Sequence, residues 1–279
     1  MVANLTGTDW LRELRPDPAP HTVLVGFPPG GGSATAYRAL ARRFGSGTAV
    51  FAVQYPGRQD RLGEPLLTEL TELAERAAQD MLSWPTTPRL VIFGHSMGAT
   101  VAYEAARRVE AAGRTVDHLI VSGRPAPDFA ETGQLHQGPD ADLISQLELL
   151  SNEPASVAIL REEPSLAELV LPALRADYQA VETYRYLPGE PLACPITALV
   201  SSEDPTVTPD QVAGWRAFTS ADFATETFPG GHFYLDLPET QPAVADFIAR
   251  RLAGTANPIQ AASTTSATPT RTNSSALRG

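Results

Sequence analysis

LVIFGHSMGATVAYE, residues 90–104, is the stretch that decides the fold of this 279-residue chain. It begins with four apolar residues of high strand propensity, which is typical of a parallel strand covered on both faces. A Gly-x-Ser-x-Gly turn follows, and small apolar residues at helical spacing come next, so the stretch predicts a strand, a sharp turn and a helix. Such a turn lifts the hydroxyl of Ser96 above the end of a sheet, which makes it a candidate nucleophile.

Ser96 needs a base to take its proton and an acid to hold that base, because a serine hydroxyl is a poor nucleophile by itself. After a turn of this kind the chain order is serine, acid, histidine. Of the five histidines only His232, in the loop FPGGHF, follows the long helical segments. His95 adjoins the serine, but the turn directs its side chain away. His232 is therefore the predicted base.

The acid is expected at the end of the predicted strand PITALVS, residues 195–201, where SSEDP follows. Asp204 is preferred because the backbone of a residue that precedes proline is restricted. Glu203 is the nearest alternative, and Asp128 is a weaker one beyond the preceding strand. That preceding strand carries Ser122 where an acid could have stood.

Attack on a carbonyl creates an oxyanion, which needs backbone donors. The N–H of Met97 is one donor by position. A second is expected from the turn PPGGGS after the first predicted strand. Because Pro28 and Pro29 have no N–H, Gly30 is the predicted donor and Gly31 the alternative.

Strands and helices alternate along most of the chain, which predicts an α/β fold with a mostly parallel sheet and helices on both faces. Only helical segments, over residues 140–151 and 165–186, are predicted within about residues 128–190, an insertion placed as a lid over the strand ends. The last strand is predicted over residues 223–228. Residues 1–20 contain three closely spaced prolines and are predicted to be a loosely attached lead-in. Residues 21–254 form the predicted domain, and residues 255–279, rich in Ala, Ser, Thr and Pro, a disordered tail.

With these residues in place, the chain resembles the type II thioesterases, stand-alone enzymes of the α/β-hydrolase fold that accompany modular polyketide and nonribosomal peptide synthases. The resemblance covers residues 22–252 and is more specific than Gly-x-Ser-x-Gly alone. One departure is Pro29-Gly30, where the family usually has His-Ala or a similar pair. The resemblance rests on these blocks: PPGGGSATAYRAL, AVQYPGRQDR, FGHSMGATVAYE, SGRPAP, LRADYQAVETYRY, CPITALVSSEDPTVTP and FPGGHFYL.

The resemblance implies a thioesterase that removes acyl groups from the phosphopantetheine arm of acyl or peptidyl carrier proteins, clearing stalled or wrongly primed units. It implies a Ser96-His232-Asp204 triad and an acyl-enzyme intermediate. No cofactor and no metal are expected, since phosphopantetheine enters as part of the substrate. The alternatives are a small-molecule esterase or lipase, an acyltransferase, and a binding protein with an inactive site, which the intact order of serine, acid and histidine disfavours.

The net charge of −11 argues against nonspecific binding of nucleic acid or of an anionic membrane. With one cysteine, no membrane-spanning apolar run and no signal-peptide core, the chain is predicted to be cytoplasmic. Apolar residues of the predicted lid could line an acyl chamber or simply pack: Leu147, Leu150, Leu169 and Leu174. Arginines near the active-site loops could dock an acidic carrier protein or form a solvated face: Arg38, Arg42, Arg43, Arg58 and Arg61.

Overall fold

The computed structural model describes residues 5–254, which form a seven-stranded sheet with helices on both faces. The sheet order is β1-β3-β2-β4-β5-β6-β7, and only β1 runs antiparallel to its neighbour. The strands are β1 (Leu11–Arg15), β2 (Thr22–Phe27), β3 (Thr48–Val53), β4 (Arg89–His95), β5 (His118–Ser122), β6 (Ile196–Ser201) and β7 (Phe223–Phe228). The predicted α/β class with a mostly parallel sheet is confirmed.

Eight α-helices connect or follow the strands within the described part of the chain. They are α1 (Arg38–Ala41), α2 (Leu70–Ser83), α3 (Met97–Ala111), α4 (Asp140–Leu150), α5 (Pro154–Glu162), α6 (Pro164–Thr183), α7 (Pro209–Ala213) and α8 (Gln241–Gly254). Short 3₁₀ helices lie at Ala34–Tyr37, Gln59–Arg61, Leu135–Gln137, Gly214–Phe218 and Tyr234–Asp236. None of these helices is long and apolar enough to cross a bilayer.

Alternating side chains of the central strands supply two cores. On one face, Ile92 of β4 and the side chains of neighbouring strands that lie on the same face, such as Val25 and Phe51, pack with α2 and α3. On the other face, Val91 and Phe93 pack with α1 and α8. Because both faces are covered, residues 90–93 of β4 are all apolar and buried, as the continuous run in the sequence predicted. The carboxyl end of β4, where Ser96 lies, is thereby held from both sides.

The expectation that residues 1–20 are a loosely attached lead-in is wrong for β1. This strand pairs antiparallel with β3, and its Leu11 is fully buried. Leu11 is the only buried residue of the five, so the strand has almost no hydrophobic pattern of its own. Neighbouring Trp10 packs against the same core and accepts the N–H of Gln54 at its carbonyl.

The segment between β5 and β6 contains three helices, α4, α5 and α6, which we call the helical insertion. Its helices share a small core of their own around Leu143, Leu160 and Leu171. Helix α5 was not among the predicted elements, whereas α4 and α6 were. Pro172 lies inside α6 without ending it. The predicted tail at residues 255–279 lies outside the described residues.

Candidate active site

The turn after β4 holds Ser96 in a conformation that few residues adopt. Its φ is 55° and its ψ is −127°, a strained combination for a residue with a Cβ. Gly94 and Gly98 make the turn possible. A Cβ on Gly94 would overlap the backbone of Gly98, and a Cβ on Gly98 would overlap the backbone of Phe27. The N–H of Ser96 donates to the carbonyl of Ser122 at 2.8 Å, which ties the turn to β5.

The structure brings Ser96, His232 and Asp204 together in one line. The Nε2 atom of His232 lies 3.0 Å from the Oγ of Ser96. Its Nδ1 lies 2.8 Å from the Oδ2 of Asp204. An ionised carboxylate can only accept, so Nδ1 carries the proton and Nε2 is free to accept the proton of Ser96. The ring is 2% exposed, which shields this arrangement from water.

Asp204 lies in the loop after β6, as predicted, and its carboxylate is held by more than His232. The backbone N–H and the hydroxyl of Thr206 donate to Oδ1 at 2.9 and 2.7 Å. Burial alone would raise the pKa of Asp204, but the hydrogen bonds and charge of His232 together with the Thr206 bonds lower it below its usual value. The two alternative acids, Glu203 and Asp128, are exposed.

His95 points away from the Ser96 hydroxyl, as predicted, and packs behind His232 with ring centroids 5.0 Å apart. Its Nδ1 lies 2.9 Å from the hydroxyl of Ser122, which in turn lies 2.7 Å from the hydroxyl of Tyr234. Burial, and then the nearby His232, lower the pKa of His95 well below its usual value. His95 therefore stays neutral. The buried hydrogen-bonded series of His95, Ser122 and Tyr234 supports the His232 ring from behind.

The two predicted oxyanion donors, Met97 and Gly30, line the same cavity as Ser96. Met97 is the first residue of α3, so its N–H has no partner within the helix. The alternative donor, Gly31, is already engaged, since its N–H donates to the Oδ2 of Asp177 at 2.7 Å. Within the described residues the N–H of Gly30 is not engaged in this way, which favours Gly30 over Gly31.

The cavity above Ser96 has a volume of about 280 Å³ and lies between the sheet and the helical insertion. Three of the four leucines named from the sequence line it, namely Leu147, Leu150 and Leu174. Leu169 does not, because it is 50% exposed on α6. Phe129 and Val181 extend the apolar wall. The insertion thus supplies apolar side chains to the cavity together with polar ones, among them Gln146 and Glu182.

Two of the five candidate docking arginines are not on the surface. The side chain of Arg58 is 9% exposed and forms a bidentate ion pair with Asp177. Arg61 is 7% exposed, pairs with Glu64 and lies over the Trp10 ring. Both therefore hold loops in place. Arg38, Arg42 and Arg43 are exposed, and within residues 5–254 they form no salt bridge.

Within residues 5–254 no cluster of three or more His, Cys, Asp or Glu is arranged to hold a metal ion. The groups that sequence reasoning missed at the site are Thr206, Asp177 and the Ser122–Tyr234 pair. The contact of Thr206 could have been predicted from the local sequence, because Thr206 lies two residues after Asp204. The contact of Asp177 could not, because its partner Arg58 is 119 residues away in the chain.

Comparison with known proteins places this site in a family. The model of the thioesterase domain family matches residues 22–252, which is most of the chain. The chain belongs to the thioesterase family. As a member it shares the fold of a solved type II thioesterase, BorB from the borrelidin biosynthetic cluster, with a TM-score of 0.79 and 40% identity. That match covers 89% of this chain and 100% of BorB.

Two curated relatives come from Streptomyces. Thioesterase PikA5 of Streptomyces venezuelae is 40% identical over 228 residues, covering 81% of this chain and 80% of PikA5. A probable cadicidin biosynthesis thioesterase of Streptomyces griseus is 40% identical over 234 residues, 84% of this chain, but the match spans only 64% of that longer relative. The resemblance to type II thioesterases and the α/β-hydrolase fold, both predicted from sequence, are confirmed.

Proposed function

We propose that this thioesterase hydrolyses acyl groups from the phosphopantetheine arm of acyl or peptidyl carrier proteins in polyketide or nonribosomal peptide biosynthesis. The observation that carries the proposal is the His232 ring, which bridges the Ser96 hydroxyl and the Asp204 carboxylate in a thioesterase-family chain. The relatives named above support the pathway, since one is a type II thioesterase of a biosynthetic cluster and another a biosynthesis thioesterase.

The reaction begins when Nε2 of His232 takes the Ser96 proton and Oγ attacks the thioester carbonyl. The N–H groups of Met97 and Gly30 stabilise the oxyanion that forms. Asp204 holds the tautomer of His232 and stabilises its cation. The thiol of the arm then departs with the proton from Nε2, and water, activated by the same nitrogen, hydrolyses the acyl-enzyme. The proposal requires no cofactor and no metal, since phosphopantetheine belongs to the substrate.

The shape of the cavity supports a role for the helical insertion as a lid. The insertion supplies the apolar wall opposite Ser96, through Leu147, Leu150 and Leu174. An acyl chain bound against these side chains leaves water, which favours its entry by about 25 cal/mol per Å² of apolar surface buried. A flexible arm that enters between the insertion and the sheet delivers the thioester to Ser96.

The experiment that tests this function compares two substrates of the same acyl group, one attached to a carrier protein and one as a free ester. We expect preferred turnover of the acylated carrier, with mass spectrometry of carriers bearing a panel of acyl groups to define the acyl preference. Ser96→Ala is the control and should lose up to ~10⁶-fold in rate. A large preference for the free ester would instead identify a small-molecule esterase. Transfer of the acyl group to an added alcohol or amine would identify an acyltransferase.

The carrier protein is proposed to approach α1 and the two residues that follow it, where the exposed Arg38, Arg42 and Arg43 form no salt bridge within the described residues. Carrier proteins are usually acidic, and complementary charge raises the rate of association more than the affinity. The double reversal Arg42→Glu/Arg43→Glu should lower kcat/KM for the acylated carrier about tenfold at low salt. The matched reversal Arg185→Glu/Arg216→Glu, at exposed arginines outside α1, should have a smaller effect. Unchanged turnover in the first variant would exclude docking at α1.

A further inference from the structure

The glycine loop after β2, residues 30–32, is anchored by a carboxylate from the helical insertion. The Oδ2 atom of Asp177, on α6, accepts the N–H of Gly31 at 2.7 Å. The same oxygen accepts from the Nη1 of Arg58 at 2.6 Å, and the other carboxylate oxygen accepts from Nη2 at 2.9 Å. Asp177 is 1% exposed, so this is a buried, bidentate ion pair with a backbone amide as third member.

Arg58 holds the loop from the other side. Its Nη1 also donates to the carbonyl of Gly32 at 3.1 Å, and its Nε donates to the carbonyl of Pro56. Asp177 and Arg58 therefore fix consecutive residues of the loop, one at an N–H and the other at a C=O. Leu174, one turn earlier on α6, packs over Gly31, where an added Cβ would lie 3.0 Å from its Cδ1.

The loop needs such anchors because glycine backbones have wide conformational freedom. Gly31 has a φ of +72°, and the loop's own support is the hydrogen bond from the N–H of Gly32 to the carbonyl of Pro29. An oxyanion donor accelerates a reaction only when it already points at the position of the developing charge. The neighbouring N–H of Gly30 has that role in the function proposed above. The loop's orientation is therefore part of the catalytic machinery.

We propose that Asp177 and Arg58 are positioning residues that couple the seating of α6 to the assembly of the oxyanion hole. With α6 seated, Asp177 draws the N–H of Gly31 towards the insertion and leaves the N–H of Gly30 directed at the cavity. With α6 displaced, the loop loses the anchor at the N–H of Gly31, and the neighbouring donor at Gly30 is no longer held towards the oxyanion. This inference rests on the proposed function.

The test uses Asp177→Ala and Asp177→Asn in the full chain. Losing the anchor of one oxyanion donor should lower kcat ~10²-fold in Asp177→Ala, with KM within about threefold. Asp177→Asn keeps an acceptor for the Gly31 N–H and should recover about tenfold of that loss. A boronic acid, which forms a tetrahedral adduct with Ser96, should lose affinity in proportion to kcat.

Three controls separate positioning from a general loss of structure. Glu148→Gln changes a carboxylate of α4 whose ion pair with Arg161 joins two helices of the insertion, and it should leave kcat unchanged. Thermal unfolding of each variant reports folding. In a Ser96→Ala background, an uncleaved acyl thioester should bind with equal affinity whether or not Asp177→Ala is also present.

Two outcomes would overturn the coupling. One is a raised KM with unchanged kcat, which would make Asp177 a substrate contact. The other is a lowered unfolding temperature with unchanged kcat and boronate affinity, which would make the pair structural only. If Asp177→Ala does not fold, Asp177→Asn alone tests the proposal. The proposal would then be overturned if Asp177→Asn and wild type had equal kcat and equal affinity for the boronic acid. Full activity of Ser96→Ala by itself would instead contradict the proposed function.

Discussion

Asp204 illustrates how one carboxylate can be both buried and charged. His232 donates to one of its oxygens and Thr206 donates twice to the other. These contacts hold the pKa of Asp204 below 3.8 although burial works in the opposite direction. When the folded-state pKa of a carboxyl group is lowered, its charge contributes its full stabilisation above the unfolded-state pKa. That contribution is lost as the pH falls through the lower folded-state pKa. Asp204 therefore stays ionised to a lower pH than an unperturbed aspartate does.

Asp204→Asn should lower kcat about 10⁴-fold at neutral pH, because the amide no longer fixes the Nδ1–H tautomer of His232. The measurement is steady-state hydrolysis of an acyl thioester, with unfolding by denaturant to show that the variant is folded. Glu203→Gln is the matched control, since this exposed neighbour was the alternative acid, and it should stay within about twofold of wild type. The opposite ranking of the two variants would make Glu203 the acid.

The buried arginines show where residue-level prediction from sequence ends. Ser96 was predicted from its Gly-x-Ser-x-Gly turn, and Asp204 and His232 from the chain order of serine, acid and histidine and from their loops. Arg58 and Arg61 lie near the active-site loops in the sequence, so they were candidates for docking a carrier protein or for a solvated face. Their burial depends on Asp177 and Trp10, which lie in other parts of the chain. No local pattern encodes a partner at such a distance.

At the level of elements, the sequence predicted β4, which is covered on both faces, and also β7, an edge strand that buries only Phe228. Strand β7 was predicted with the bounds that the structure has, residues 223–228, and β4 with its turn is as expected. Strand β1 and helix α5 were missed. Each of them buries one residue, Leu11 and Leu160 respectively. What fixes β1 is hydrogen bonding to β3, and a backbone partner is invisible in composition.

The junction of β4 and α3 depends on close contact of backbones. A Cβ on Gly98 would overlap the carbonyl oxygen of Phe27, at the end of β2. Gly98→Ala must push α3 away from the sheet, which should cost about 2–3 kcal/mol of unfolding free energy and move Ser96 away from His232. Denaturant unfolding and thioester hydrolysis measure the two effects.

Gly45→Ala is the matched control for that prediction. Nothing lies within 4 Å of the position that its Cβ would take. This variant should stay within about 0.5 kcal/mol of wild type and keep full activity. Equal stability of the two variants would show that the sheet and α3 can separate without cost.

At the scale of the whole molecule, the parallel sheet has two ends with different tasks. The carboxyl ends of β4 and β6 lead to Ser96 and Asp204, and residues of the helical insertion line the cavity beside Ser96. The amino end of β5 carries a buried polar side chain. His118, the first residue of β5, is 5% exposed there, and its Nε2 lies 2.9 Å from the hydroxyl of Thr197 on β6. This buried imidazole links the stability of the whole fold to pH.

Burial, and then repulsion from Arg251 and Arg89, lower the pKa of His118 from 6.5 to about 4. Between these pH values the unfolded chain binds a proton that the folded protein does not, so stability is complete above pH 6.5 and falls as the pH drops towards 4. The shift corresponds to about 3 kcal/mol.

His118→Gln cannot take up that proton, and urea unfolding between pH 4.5 and 7.5 should show a shallower loss of stability than wild type. Some slope should remain, because burial lowers the pKa of His95 in the same direction. At pH 7.5, where His118 is neutral in both states, variant and wild type should agree within about 1 kcal/mol. Equal slopes for the two proteins would mean that the β5–β6 edge accommodates a charged imidazole.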